Sequence, residues 1–165
     1  MNKFALCAIL TLSVSKSFAL QTECNFTEEQ SRLIKKAASY GSAFGYKKTL
    51  SAIVVQESFV GKYVVKINPK DGRMGSYGIT HILLDTAMYL EGVSNKWYAK
   101  DVIVEELIKN DLYALGLAVK KLDSVNNGNW MQTWSKYNGG STKYANSIKN
   151  NIRKLERCGY FSNWG

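Results

Sequence analysis

The only proline of this chain, Pro69, lies in the turn sequence NPKDG at positions 68–72 and interrupts a pattern that is otherwise mostly helical. Proline presets a turn and removes a backbone donor, whereas the residues at 63–67 just before it are β-branched and aromatic, which favours a strand. We therefore expect a mainly α protein with one small β-hairpin, whose arms are 63–67 and 73–77.

Apolar residues at helical spacing predict the other elements. Thr27 with Gln30 three residues later resembles a capping box at the start of a helix. We expect Gly41 to end that helix. Asp101 and Asn110 are the expected caps of two later helices. The predicted helices cover positions 28–40, 49–58, 78–90, 102–109, 111–122, 130–137 and 142–157.

The length of 165 residues and the 45% hydrophobic content suit one well-filled core, and no repeat or linker divides the chain. The N-terminus differs in character, because an apolar stretch at 4–14 leads to SFA at 17–19, which has the form of a signal-peptidase site. We expect a signal peptide at 1–19, a single domain at 20–165, and export to the periplasm or the cell exterior. If it were not cleaved, the segment would be an N-terminal anchor.

The formal net charge is +9, and it would fall to +7 without 1–19, which contains Lys3 and Lys16 and no acidic residue. Outside the cytoplasm, a basic protein is drawn to anionic wall polymers and membrane surfaces rather than to nucleic acid. The alternative is that the charge serves only solubility.

Cysteine usage is consistent with export. Cys7 lies in the expected signal peptide, which leaves Cys24 and Cys158 near the two ends of the mature chain. In an oxidising compartment they suggest one disulfide, and the alternative is two free structural thiols. One histidine and two distant cysteines do not form a familiar metal site, so we expect no metal and no cofactor.

Glu57 is the strongest candidate for a catalytic residue. It extends the helical stripe of Leu50, Ile53 and Val54, so its carboxyl group is aimed at the core side. Burial disfavours the charged form of a carboxyl group, and a buried glutamic acid can donate a proton at neutral pH. A cleft between the hairpin and the helices would have this group at its floor. The alternative is a helix-end glutamate held by structural hydrogen bonds.

Four short motifs occur in order: AIVVQES at 52–58, GSYGITHI at 75–82, DTA at 85–87, and YNGG at 137–140 followed by Tyr144. Their order and rough spacing resemble those of soluble lytic transglycosylases and goose-type lysozymes. The hairpin-containing form is most similar to the small transglycosylases that accompany secretion and conjugation machines, and to some phage lysins. The resemblance implies a lysozyme-like α+β fold with the hairpin beside the active-site cleft.

The resemblance also implies an activity. Glu57 would be the general acid and base that cleaves the β-1,4 bond between N-acetylmuramic acid and N-acetylglucosamine in peptidoglycan, leaving 1,6-anhydromuramic ends. A second carboxylate is not needed, because the acetamido group of the substrate can stabilise the developing cation. His81 stands where the family usually has glutamine. The implied supporting or substrate-binding residues are Ser58, Ser76, Tyr77, Gly78, His81, Tyr137 and Asn138.

Asp71 is the candidate for a second carboxylate, because from the hairpin it could orient a water and direct the reaction toward hydrolysis. As a turn residue it would instead form a hydrogen bond with its own backbone.

Two alternatives to a transglycosylase remain: a hydrolytic lysozyme or phage-type lysin, and a silent peptidoglycan-binding module of a secretion or conjugation apparatus. The expected partners are glycan strands, with such an apparatus as the candidate protein partner, and we expect a monomer.

Overall fold

The structure is a computed structural model that describes residues 24–67, 75–93 and 97–162. Across these ranges the chain is a mainly helical single domain with seven helices and a small three-stranded antiparallel sheet, so the predicted fold class is confirmed. The elements in chain order are α1 (Glu28–Ser42), α2 (Lys47–Ser58), β1 (Val65–Ile67), β2 (Gly75–Tyr77), β3 (Ile82–Leu83), α3 (Leu84–Leu90), α4 (Trp97–Lys109), α5 (Asp111–Val125), α6 (Trp130–Tyr137) and α7 (Thr142–Arg157).

Helix α2 lies at the centre of the domain and packs against α1, α5 and α7. Leu50, Ile53 and Val54 are fully buried, as the apolar stripe predicted. Removing a side chain of this size from water contributes roughly 1.5–3 kcal/mol. Because three other helices hold α2, the position of its C-terminal end, which carries Glu57, is well defined.

The predicted hairpin is present as strands β1 and β2, which pair antiparallel with Val65 opposite Tyr77. The predicted turn at 68–72, including Asp71, lies outside the described residues, as does the expected signal peptide at 1–19. Strand β3 adds to the other edge of β2, so the sheet has the order β1-β2-β3.

The predicted helix over 78–90 is wrong at its start, because α3 begins only at Leu84. Gly78 and His81 have φ angles of 76° and 45°, which a right-handed helix does not contain. The apolar residues at 82–83 belong to strand β3 instead. A short apolar run does not distinguish a helix from a strand.

Side chains cap the starts of four described helices, and two of these caps, Thr27 and Asn110, were predicted. Thr27 and Gln30 form the predicted capping box of α1, with the Gln30 N–H donating to the Thr27 hydroxyl at 3.2 Å. Asn110 caps α5 by accepting a hydrogen bond from the Tyr113 N–H. The predicted cap at Asp101 is wrong, because α4 already begins at Trp97 and Asp101 lies inside it.

Cys24 and Cys158 form a disulfide, so of the two alternatives the bridge is the one observed. It ties the segment before α1 to the C-terminal end of α7. Within the described ranges, no helix combines the length and the apolar character needed to cross a membrane.

Gly78 is required by close packing between the sheet and two helices. A Cβ atom at this position would clash with the carbonyl oxygen of Leu107 and would lie 3.2 Å from the Cβ of Ala114. We expect Gly78→Ala to lower the free energy of unfolding by roughly 2–4 kcal/mol, because alanine adds this clash to the strain of a left-handed backbone. Urea unfolding followed by circular dichroism measures the loss.

Gly128 provides the matched control for that substitution. Its φ is 80°, yet an added Cβ has no atom within 4 Å. Gly128→Ala should therefore show only the backbone strain, roughly 1–2 kcal/mol. Equal losses at the two glycines would contradict the role of close packing at Gly78.

Candidate functional site

Glu57 lies on the last turn of α2, and its side chain is only 9% exposed. Just beyond it the backbone reverses through three consecutive residues with positive φ: Phe59 at 51°, Val60 at 58° and Gly61 at 79°. This conformation is uncommon outside glycine, and for a β-branched valine it is strained. Strain of this kind recurs at functional sites, where the surrounding structure maintains it.

Ser58 holds this strained turn together. Its hydroxyl donates to the carbonyl oxygen of Val54 at 3.1 Å and accepts a hydrogen bond from the Gly61 N–H at 2.8 Å. The side chain is fully buried, so the hydroxyl faces the backbone of the turn and not the solvent. The predicted support of Glu57 by Ser58 would therefore act through the shape of the turn.

The imidazole of His81 lies directly against Glu57. Its Nδ1 atom is 3.5 Å from Oε2 of Glu57, and the histidine side chain is 4% exposed. The other ring nitrogen, Nε2, is 2.7 Å from the carbonyl oxygen of Tyr63, which follows the strained turn. The sequence predicted a substrate contact at His81, and in the structure its ring contacts the candidate acid.

Tyr137 and Tyr144, from α6 and α7, also lie near Glu57. Both are buried, and their rings stack with centroids 6.2 Å apart. The Tyr137 hydroxyl donates to the carbonyl oxygen of Thr80 at 3.3 Å. The Tyr144 hydroxyl interacts with the Glu57 carboxylate but does not reach hydrogen-bond geometry with it or with any other group in the described part of the chain.

Burial raises the pKa of Tyr137 well above its usual value, and the nearby charge of Glu57 raises it further. Burial likewise raises the pKa of Tyr144, again with an added effect of Glu57. Both tyrosines are therefore neutral near pH 7 and keep their hydroxyl protons. They can donate hydrogen bonds next to Glu57 without adding negative charge.

Lys121 of α5 also lies close to these groups, although the sequence did not predict it. Its Nζ atom lies 4.4 Å from the centre of the Tyr137 ring, a cation–π contact. Burial lowers the pKa of Lys121, while the negative charge of Glu57 acts in the opposite direction. One sequence signal was present: Lys121 follows Leu117 by four residues and therefore lies on the apolar stripe of α5.

The contacts of Glu57 described above do not include the remaining predicted residues. Ser76 is buried and Tyr77 is half-buried in strand β2, and the N–H of Gly78 donates to the carbonyl of Val64 at 2.8 Å. Asn138 is exposed at the C-terminal cap of α6. Their roles in substrate binding remain predictions.

A cavity of about 520 Å³ lies on the side of the strained turn that faces α1. Phe59, Val60 and Gly61 line it together with α1 side chains, among them Arg32 and Lys36. Glu57 does not belong to its wall, so this cavity is distinct from the candidate catalytic group. Within the described ranges, no cluster of histidine, cysteine, aspartate and glutamate side chains could hold a metal ion.

No protein-family model, curated protein or solved structure matches this chain. The resemblance to transglycosylases thus rests on the four sequence motifs. In the structure, Tyr137 of the last motif lies near the carboxyl group of Glu57 in the first motif, although the two residues are 80 positions apart in the sequence.

We expect the loss of the hydroxyl group to change stability differently at the two stacked tyrosines. Tyr137→Phe removes a buried hydrogen bond and leaves the carbonyl of Thr80 without that donor, so we expect stability to fall by roughly 1–2 kcal/mol. Tyr144→Phe removes a buried hydroxyl without a hydrogen bond, so its stability should stay within about 0.5 kcal/mol of the parent or rise. Denaturant unfolding of the two variants measures the difference, and a larger loss for Tyr144→Phe would contradict the described geometry.

Proposed function

We propose that this protein cleaves the glycan strand of peptidoglycan as a lytic transglycosylase, with Glu57 as general acid and base. The observation that carries the proposal is the setting of Glu57: a carboxyl group with a 9% exposed side chain, at a strained helix end, with buried neutral tyrosines from distant parts of the chain nearby. A cluster of ionisable groups in which some members, here the two tyrosines, have perturbed pKa values is typical of catalytic sites.

In the proposed reaction, Glu57 gives its proton to the oxygen that links N-acetylmuramic acid to N-acetylglucosamine, and the bond from that oxygen to the muramic C1 breaks. The acetamido group of the substrate stabilises the cation that forms. The Glu57 carboxylate then takes the proton of the muramoyl 6-hydroxyl, whose oxygen bonds to C1 and closes the 1,6-anhydro ring. Glu57 is protonated again at the end, so the cycle needs no cofactor.

An exported location supports a wall substrate. The Cys24–Cys158 disulfide is typical of proteins that leave the cytoplasm, and the N-terminal sequence has the form of a signal peptide. The basic charge of the chain favours approach to anionic wall polymers. The proposed setting is the periplasm or the cell exterior, with glycan strands as partner and a secretion or conjugation machine as the candidate protein partner.

The main alternative is hydrolysis of the same bond, in which water replaces the 6-hydroxyl. It would need a group that orients the water, and Asp71 is the sequence candidate for that role. The proposal favours transglycosylation because the motif order resembles that group more closely and because a single glutamic acid suffices for it.

Product analysis tests the proposal. The purified mature protein, with its disulfide intact, is incubated with isolated peptidoglycan, and the released muropeptides are analysed by mass spectrometry. We expect 1,6-anhydromuramic ends, which are lighter than reducing ends by one water. Reducing ends alone would replace the transglycosylase proposal by the hydrolase, and the absence of released fragments would contradict glycan cleavage.

A further inference from the structure

His81 holds its proton on a defined ring nitrogen. Its Nε2 atom lies 2.7 Å from the carbonyl oxygen of Tyr63, and a carbonyl oxygen can only accept a hydrogen bond. Nε2 must therefore carry a proton and donate it to that oxygen. In the neutral imidazole, which has one ring proton, Nδ1 is then an unprotonated acceptor.

This acceptor faces a second acceptor. Nδ1 lies 3.5 Å from Oε2 of Glu57, and it has no hydrogen-bond partner among the described residues although it is buried. Two acceptors this close together in a buried place repel each other, and an unsatisfied buried polar atom costs about 1–3 kcal/mol. One proton between the two groups removes both problems, whether Oε2 or Nδ1 carries it.

The other groups around the pair do not supply that proton. Tyr137 donates its hydroxyl to the carbonyl of Thr80, and the Tyr144 hydroxyl does not form a hydrogen bond with the described groups. Lys121 contributes a positive charge from α5, and its Nζ atom contacts the face of the Tyr137 ring. The proton between Glu57 and His81 therefore has to belong to the pair itself.

We infer that Glu57 and His81 share one proton, with His81 as a positioning residue for the proposed acid. The inference rests on the proposed function for its consequence in catalysis, but the shared proton itself does not. When the proton is on Glu57, the group is ready to protonate the glycosidic oxygen. When it is on Nδ1, the imidazolium faces the carboxylate, and the proton is retained beside Glu57.

A proton shared by Glu57 and His81 changes how the activity depends on pH. Between the two ionisations of a coupled pair, the fraction of molecules with the proton on Glu57 is constant, so the rate is flat. A lone carboxyl group loses its protonated fraction by about tenfold for each pH unit above its pKa. His81 would therefore extend the active range of Glu57 toward higher pH.

A spectroscopic test is direct, because His81 is the only histidine of the chain. The disulfide-intact protein is labelled with ¹⁵N in the imidazole, and its two nitrogen signals are followed against pH. We expect Nε2 to stay protonated throughout while Nδ1 titrates. In Glu57→Gln the midpoint should fall by at least about one pH unit, because the opposite charge beside the ring is gone.

Glu105→Gln is the matched control, since it makes the same chemical change on the exposed surface of α4 and should leave the midpoint unchanged. An equal midpoint in the parent and in Glu57→Gln, or a neutral ring with its proton on Nδ1, would overturn the inference. These readouts do not require activity. A lowered midpoint in a protein that releases no glycan fragments would thus support the shared proton and contradict the proposed function.

The activity readout compares the pH profiles of the parent and His81→Gln, whose amide can still donate to Glu57 but cannot titrate. We expect a flat profile near neutrality in the parent and a decline of up to about tenfold per pH unit in the variant. His81→Asn serves as the second variant, because asparagine tolerates the left-handed backbone of this position, where φ is 45°. The inference would be overturned if the pH profiles of the parent and the His81 variants coincided. It would also be overturned if the activity of a variant declined only at a higher pH than that of the parent.

Discussion

Replacing Glu57 by glutamine is expected to slow the release of glycan fragments by roughly 10²- to 10⁴-fold, the usual contribution of a positioned general acid and base. Glutamine has nearly the shape of glutamic acid but cannot donate the required proton. The side chain is 9% exposed beside His81, so a substitution of equal size should preserve the packing of the α2 end. Clearing of a peptidoglycan suspension, followed by turbidity, measures the rate.

Binding separates a catalytic role from a general loss of structure. Glu57→Gln should still sediment with insoluble peptidoglycan and should retain a helical circular dichroism spectrum. Glu105→Gln, on an exposed part of α4, should clear the suspension like the parent protein. Clearing by Glu57→Gln at the parent rate would contradict the proposed mechanism. If the parent protein bound peptidoglycan without clearing it, the silent binding module would be the better description.

Removing the Cys24–Cys158 disulfide is expected to lower the free energy of unfolding by roughly 3–5 kcal/mol. The bridge joins residues separated by 134 positions, so it strongly restricts the unfolded chain. A loss of this size is a large part of the usual stability of a domain, about 5–15 kcal/mol. In thermal unfolding, the double variant Cys24→Ser, Cys158→Ser should melt about 10 °C lower than the parent.

The reduced parent protein is the control for that double variant. It should unfold at the same denaturant concentration as the double variant, because both lack only the covalent link between the ends of the domain. An unchanged midpoint after complete reduction would contradict a stabilising role of the bridge. A double variant much less stable than the reduced parent would indicate that the serine side chains, and not the missing bond, cause the loss.

Local sequence signals predicted much of the helical framework. Helices α6 and α7 begin and end at the predicted residues, 130–137 and 142–157, because polar caps at Asn129 and Ser141 precede clear apolar periods. The start of α3 was mispredicted because the apolar residues at 82–83 fit a helix equally well until their pairing with β2 is known. Pairing between strands is a tertiary contact, which helical periodicity does not report.

The residues of the candidate site were likewise predicted only in part. Glu57 was identified from its helical stripe and its motif, and Tyr137 from the motif alone. The contact between His81 and Glu57 depends on a left-handed backbone at His81 and on the turn that brings the Tyr63 carbonyl to Nε2. Lys121 was missed because a lysine on an apolar stripe is usually assigned to the helix surface, where its amine stays in water.

The sequence by itself thus determined the helical class, the small hairpin and the cysteines available for one bridge, and it made Glu57 the candidate for acid chemistry. These properties follow from residue type and short-range spacing, which act within a few residues along the chain. Only the tertiary structure decided which groups surround that carboxyl group: the histidine ring at 3.5 Å, the buried tyrosines and the lysine on α5. Those contacts join four helices and the segment between β2 and β3 that carries His81, and their geometry is set by how these elements pack.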